Sequence, residues 1–217
     1  MTSADYFDRL YDDNPDPWDL AASPYERRKL ALLLAALPRP RYRNAFEPGC
    51  AIGVTTAALA DRCDRLIAMD GAAAAVAQVR ARVSSPHVVV CSGRVPADWP
   101  DGRFDLIVIS ELLYFLDEEA RLGVAARVGD SLLPGGDVIA VHWRHSFAEA
   151  PANGDVVHAE LAARFRAAGL TLTVDHTEEH FLLQAYRRIA SEGISDPRHD
   201  RPAATGAGVG KDSGMAP

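Results

Sequence analysis

Beyond residue 44 the chain alternates between two patterns of apolar and polar positions. Short, near-continuous apolar runs occupy Ala45-Phe46, Leu66–Met69, Val88–Cys91, Phe104–Ser110 and Val138–Trp143. Between them lie stretches with helical spacing: Thr55–Cys63, Ala72–Val83 and Asp117–Leu133, the last stopped by Pro134-Gly135-Gly136. Apolar strands joined by helices predict a parallel sheet covered on both faces. A further helix is expected over 154–168, followed by strands at Leu170–Val174 and Phe181–Tyr186. The few residues left between those two strands, Asp175–His180, are too few for a parallel crossover, which predicts an antiparallel hairpin. Ahead of the sheet, residues 4–12 predict a short helix broken at Asn14-Pro15-Asp16-Pro17. Ser23-Pro24 supplies an N-cap and a first-turn proline for a second helix running to about Leu37.

The expected fold class is therefore α/β: a Rossmann-like, doubly wound, mostly parallel seven-stranded sheet with a C-terminal antiparallel hairpin. Residues 1–40 are expected to form a helical lid segment and residues 41–190 a cofactor-binding domain. Residues 191–217 are rich in Gly, Ala, Pro, Ser and Asp with almost no large apolar residue, which predicts a disordered tail.

Composition narrows the function classes. A chain of 217 residues can bury one sizeable core. No apolar run approaches the ~18–20 residues of a membrane helix, and no basic-then-apolar leader opens the chain. The three cysteines, Cys50, Cys63 and Cys91, lack metal-type spacing and fit reduced thiols in a cytoplasmic protein, so no metal is expected. A net charge of −7 argues against a general nucleic-acid binder. Residues 1–20 are rich in Asp and residues 26–43 in Lys and Arg. Each run reads as a solvated helix face, or the acidic one as a lid that favours a cationic substrate.

The most informative stretch is Asn44-Ala-Phe-Glu-Pro-Gly-Cys-Ala-Ile-Gly53, where an apolar run ends in a carboxylate and enters a glycine turn before a helix. A dinucleotide loop needs glycines that here would fall at Gly49, Ala51 and Val54, so two of three fail. No Walker Gly-Lys-Ser/Thr follows. Glu47, Gly49, Ala51 and Gly53 instead resemble the acidic-x-Gly-x-Gly-x-Gly motif of class I S-adenosylmethionine methyltransferases, with Ala51 as the mildest replacement. Asp70 ends the second apolar run about 20 positions on, where a carboxylate accepts ribose hydroxyls in adenosine-binding folds or caps the next helix. Phe104–Leu116 and Leu132-Leu-Pro-Gly-Gly136 resemble later motifs of the same class. The acid many relatives place after the third strand is missing from Cys91-Ser-Gly-Arg94-Val95. Backbone groups of Arg94 and Val95, or Asp98 farther along, are the substitutes for the adenine contact.

Within that class the chain resembles the nodulation protein S group. The shared words are Asp16-Pro-Trp18, Ser23-Pro-Tyr-Glu26, Glu47-Pro-Gly-Cys-Ala51, Ser110-Glu-Leu-Leu-Tyr114, His142-Trp-Arg144 and Gly154-Asp-Val-Val-His158. The resemblance implies S-adenosylmethionine as cofactor and N-methylation of an amine on a small soluble acceptor, such as an amino sugar or glucosamine oligosaccharide. Two alternatives stay open: an O-methyltransferase of a phenolic or polyketide metabolite, and a non-catalytic cofactor-binding regulator. A nucleic-acid methyltransferase is disfavoured, since no Asn/Asp-Pro-Pro-Tyr/Phe motif follows the fourth strand. A monomer or homodimer, with no membrane partner, suits this reading.

Methyl transfer to an amine needs alignment and a group that orients the nucleophile or takes its proton. Glu111, at the carboxyl end of the fourth strand where open α/β sheets bind ligands, is the leading candidate, or else a surface residue capping a turn. Tyr114 offers a hydroxyl or packs in the core. His142, ending the fifth strand, and His158, at the next helix start, are acid–base candidates or satisfied core histidines. Trp18 and Tyr25 would cover the cofactor, or simply pack the N-terminal helices. Arg28 would reach the methionine carboxylate, or lie in solvent. Cys50, Gly71 and Ser110 complete the expected cofactor contacts.

Overall fold

The computed structural model describes residues 4–189. The tail expected over 191–217 lies outside the described residues. Five parallel strands and one antiparallel pair form a seven-stranded sheet in the order β3-β2-β1-β4-β5-β7-β6. The strands are β1 (Ala45–Pro48), β2 (Leu66–Asp70), β3 (Val88–Ser92), β4 (Phe104–Ser110), β5 (Leu132–Trp143), β6 (Leu170–Thr177) and β7 (Phe181–Arg188). Among the described residues six α-helices accompany them: α1 (Ala4–Asp13), α2 (Pro24–Ala36), α3 (Val54–Ala60), α4 (Ala73–Arg82), α5 (Glu118–Ser131) and α6 (Gly154–Ala167). The order reverses between β1 and β4, which puts the topological switch point at their carboxyl ends.

The near-continuous apolar strands have the cause expected of them, because both faces are covered. On one face Leu106 and Val108 of β4 and Ile139 and Val141 of β5 pack with Leu33 of α2, with Leu37 just past its end and with Leu59 of α3. Ala68 meets Val79 of α4. The intervening Ile107, Ile109, Val138 and Ala140 face Val124 and Val128 of α5 and Leu161 and Phe165 of α6. Adjacent residues thus serve opposite cores, as a period of two requires. α2 is one of the helices covering the sheet, whereas α1 contributes Phe7 and Tyr11 to the mouth of the cleft described below.

Local chemistry sets the boundaries. The Ser23 hydroxyl accepts from the Glu26 amide at 3.5 Å with Pro24 in the first turn, as read from the sequence. Asp117 caps α5 through the Ala120 amide at 3.0 Å. The Leu132–Gly136 stretch differs from expectation. α5 stops at Ser131, and the proline and glycines lie inside β5, not in a turn ahead of it. Pairing of β4 with β5 jumps there, from Phe104↔Leu132 to Leu106↔Asp137, so the extra residues are taken up as an irregularity in the ladder. β6 and β7 form the antiparallel hairpin.

Candidate functional site

At the switch point the carboxyl ends of β1, β2, β4 and β5 open into a cleft of about 940 Å³. That is near the top of the ~300–1,000 Å³ range of small-molecule sites. Of the residues expected to bind cofactor, Trp18, Tyr25, Glu47, Gly49, Cys50, Ala51, Asp70, Gly71, Arg94, Val95, Ser110 and Glu111 line it.

The glycine turn builds one wall. Gly49 and Cys50 both donate their amides to the Met69 carbonyl, at 2.7 and 3.0 Å, pinning the turn to the end of β2. Gly49 has φ 72, and a Cβ there would meet the Leu112 side chain at 3.0 Å, so only glycine leaves the wall in place. Ala51, also left-handed at φ 47, donates its amide to Asp70 Oδ2 at 2.9 Å. Asp70 Oδ1 accepts from Ala72, the N-cap residue of α4, at 2.9 Å, so this carboxylate fixes the chain entering α4 and ties the turn. Burial raises its pKa, while the Ala72, Ala51 and Gly71 amides oppose the shift. Each oxygen keeps lone-pair capacity toward the cleft. Glu47 is buried and accepts from the Thr56 hydroxyl at 2.7 Å. Burial pushes its carboxyl up to about 8 even though Thr56 pulls the other way.

The opposite wall is a charged corner. Glu111 has φ 52, an unusual conformation for a residue with a side chain. Its carboxylate holds it there. Oε1 accepts from Lys29 Nζ at 2.6 Å, and Oε2 accepts from the Tyr114 hydroxyl at 2.6 Å and the Trp143 amide at 2.8 Å. Lys29, only 6% exposed, also sits 2.8 Å from Glu26. Burial pulls its pKa down, but the two carboxylates outweigh burial and leave it above the ordinary lysine value. Burial, then the Glu111 charge, drives Tyr114 well above a free phenol. The Tyr25 hydroxyl beside this corner is buried with no hydrogen-bond partner, and burial pushes its pKa up to about 12.

Four expected residues do not reach the cleft. His142 is fully buried behind the loop that follows β4, its ring bonded to the Leu113 amide and to His158. Burial, the His158 ring and the Lys29 charge hold its pKa well below that of a free imidazole. Neither histidine lines the cleft, so neither is in a place to take a proton from a ligand. Arg28 points outward and pairs bidentately with Glu178, both bonds 2.7 Å. Gly53 lies outside the lining and acts on packing instead. At φ 80 it starts α3 so close to α4 that a Cβ would meet Val79 at 3.0 Å. The Arg94 amide is already donated to Asp98 Oδ2 at 2.8 Å, so it is not free for an adenine, and Asp98 itself does not line the cleft.

Sequence reasoning missed Lys29 and Glu26, and the signal was present. The two are spaced i, i+3 on a helix face whose next turn carries Leu33, so the basic run 27–29 is not a uniform solvent face. It also missed the aromatic mouth. Phe7 of α1 meets Phe115 edge-on at 4.9 Å, and Tyr11 meets Trp18 at 5.7 Å. Phe147 meets Tyr114 at 5.2 Å. These rings come from three separate segments, and no local pattern links them. Among the described residues no cluster of His, Cys, Asp or Glu has metal-binding geometry. No described helix is long and apolar enough to cross a membrane.

The family model of nodulation protein S matches residues 4–150. The chain belongs to this family. Nodulation protein S of Rhizobium tropici is 37% identical over 129 residues, which make up 57% of this chain and 53% of that protein. The match thus spans about half the length of that relative. Among solved structures, the N-methyltransferase NodS of Bradyrhizobium japonicum in complex with S-adenosyl-L-homocysteine superposes with a TM-score of 0.76. It is 26% identical, and the alignment covers 87% of this chain and 99% of that one. A candidate methyltransferase from Pseudomonas syringae is 45% identical, with a TM-score of 0.67 over 76% of this chain and 99% of that one. The family and the doubly wound fold read from the sequence are therefore established.

Proposed function

We propose that the protein is an S-adenosylmethionine-dependent N-methyltransferase acting on an amine of a small acceptor, an amino sugar or glucosamine oligosaccharide being the preferred class. The observation that carries this reading is that one cleft holds Asp70 and Glu111 on opposite walls, each with unused acceptor capacity. The cofactor supplies an electrophilic methyl group on a sulfonium sulfur. Asp70 would accept its ribose hydroxyls, and the buried, partnerless Tyr25 hydroxyl suits a polar atom of its amino-acid end. Glu47, in the same lining, would meet the ammonium of that end, which would favour its ionised form.

Glu111 would orient the acceptor. Its Oε2 already has two donors, but Oε1 has only Lys29 and keeps one lone pair for an amine N–H. The Lys29 ammonium stabilises the carboxylate in that role, and Tyr114 fixes its rotation. The amine proton then has an acceptor within hydrogen-bond reach. The aromatic mouth excludes water from the transfer.

Two measurements test this reading. Asp70→Ala should weaken S-adenosylhomocysteine binding in calorimetry by about 10–100-fold, the worth of charge-assisted hydrogen bonds. Unchanged affinity removes Asp70 from the ribose role. In a screen of amino sugars against phenols, Glu111→Gln should cut methyl transfer to amines while leaving cofactor affinity in place. A second reading, O-methylation of a phenol, is favoured by the aromatic rings of Phe115, Phe147 and Trp143 in the lining. Transfer to phenols alone would select it.

A further inference from the structure

The loop carrying Glu111 and Tyr114 is held from behind by three consecutive residues of β5. The Val141 carbonyl accepts from the Glu111 amide at 2.8 Å. Nε2 of His142 accepts from the Leu113 amide at 3.2 Å. The Trp143 amide donates to the Glu111 carboxylate at 2.8 Å. Of these three β5 residues, only His142 holds the loop through a titratable side chain of its own. Its other ring nitrogen, Nδ1, lies 3.1 Å from Nε2 of His158 on α6, and Nδ1 of His158 lies 2.9 Å from Oε1 of Gln184 on β7.

Hydrogen-bond logic leaves this row one arrangement of protons. A backbone N–H can only donate, so His142 Nε2 carries no proton and Nδ1 does. His158 must then accept at Nε2 and donate from Nδ1 to Gln184. The Gln184 amide is oriented to match: its Oε1 also accepts from the Tyr186 hydroxyl at 2.8 Å, and its Nε2 donates to Asp175 at 3.0 Å. Both imidazoles are neutral in this arrangement. A proton added to His142 Nε2 would face the Leu113 N–H donor to donor.

We infer that His142, His158 and Gln184 form a proton-locked strut that positions the Glu111–Tyr114 loop, and that neither histidine takes part in proton transfer with substrate. The assignment of that loop to the acceptor rests on the function proposed above; the strut itself does not. The groups facing it are few. Lys29 of α2 opposes a charge on His142, as does His158. Glu111, Asp155 and Asp175 favour a charge on His158, and the Tyr114 ring packs edge-on against His142 at 5.6 Å. The histidines' contribution to loop order should be complete above the ~6.5 of a free imidazole and fall as the solution is acidified.

The test uses the whole chain with S-adenosylhomocysteine, read by NMR. In the unaltered protein, nitrogen-15 spectra should show His142 protonated at Nδ1 only; a proton on Nε2 overturns the inference. His142→Gln places an amide oxygen near the old Nε2 and should keep the Leu113 amide protected from hydrogen exchange. His142→Asn is too short to do so and should speed that exchange at least about tenfold, the size of one lost buried hydrogen bond. Equal exchange in the two variants, both shown folded by thermal melts, also overturns it. Failure of methyl transfer to every amine tested would strike the proposed reaction and leave these readouts standing.

Discussion

Two turns at neighbouring strand ends carry the same backbone strain and support it differently. After β1, Ala51 sits at φ 47; after β4, Glu111 sits at φ 52. A left-handed conformation costs a non-glycine residue roughly 1–2 kcal/mol. The first turn is flanked by Gly49 and Gly53 and tied down by backbone amides and one carboxylate, Asp70. The second has no glycine, and the strained residue's own carboxylate anchors it to Lys29, 82 positions away, and to Trp143, 32 positions away. One turn presents bare backbone to a ligand. The other presents a fixed charge with one open lone pair. A turn held by backbone tolerates change around it, whereas a turn held by a buried ion pair fails when either partner goes.

The sharpest break of this comparison is Lys29→Met. It leaves Glu111 with no counter-charge in a corner where Lys29 is 6% exposed. Removing one partner of a buried pair costs about 3–5 kcal/mol, and the partial exposure of Glu111 argues for the lower end. Urea unfolding measures it. The double variant with Glu111→Gln should recover part of the loss, because only Glu26 is then left without its partner. A single variant as stable as the parent would mean that the two turns do not differ in their support. Next in size is Gly53→Ala, expected to cost about 2 kcal/mol from the left-handed conformation and the Val79 contact together. Its effect should appear in thermal melts and only weakly in cofactor affinity, because Gly53 does not line the cleft.

The same contrast explains what was legible in the chain. The sheet, its order of elements and the closing hairpin follow from local signals: apolar run length, caps and the shortness of the Asp175–His180 link. The glycine turn was legible because its function is backbone shape, which glycines and a flanking acid announce in one stretch. The charged corner was only half legible. Glu111 and Tyr114 share a short segment, but their partner Lys29 arrives from α2, and a basic run looks solvated until the helix face is known. His142 and His158 were visible as imidazoles near the right sheet edge. Whether such a ring faces the ligand or the core is set by the loop packed over it, here Leu113–Phe115.

A smaller effect separates the buried carboxylate of the glycine turn from the paired one opposite. Glu47 has only a hydroxyl partner, and burial holds its carboxyl up to about 8. A carboxyl raised on folding keeps a proton that the unfolded chain sheds. Its contribution to stability is therefore complete below 4.5 and lost as pH rises to about 8. Glu47→Gln is neutral throughout. Relative to the parent, its melting temperature should climb across that window by roughly 2–4 °C per kcal/mol gained. A difference independent of pH would show that Glu47 is ionised in the folded chain across that window.

The smallest expected effect is also the most discriminating, because its sign differs between the turns. Ala51→Gly removes a strain of roughly 1–2 kcal/mol and adds about 0.5–1 kcal/mol of unfolded-state entropy, a net gain of about 0.5 kcal/mol. The Asp70 bond to the residue 51 amide does not involve the side chain and survives the change. Glu111→Gly relieves the same strain but deletes the acceptor of Lys29, Tyr114 and the Trp143 amide together. It should destabilise, leaving the buried Tyr114 phenol without its partner and the buried Lys29 ammonium with Glu26 alone. Paired urea titrations of the two glycine variants would read this directly. Opposite signs mean that strain in the first turn is a residue of loop shape, while strain in the second is sustained by the charge it positions. Two gains of similar size would put the Glu111 carboxylate outside the fold's stability and leave its place at the cleft to function alone.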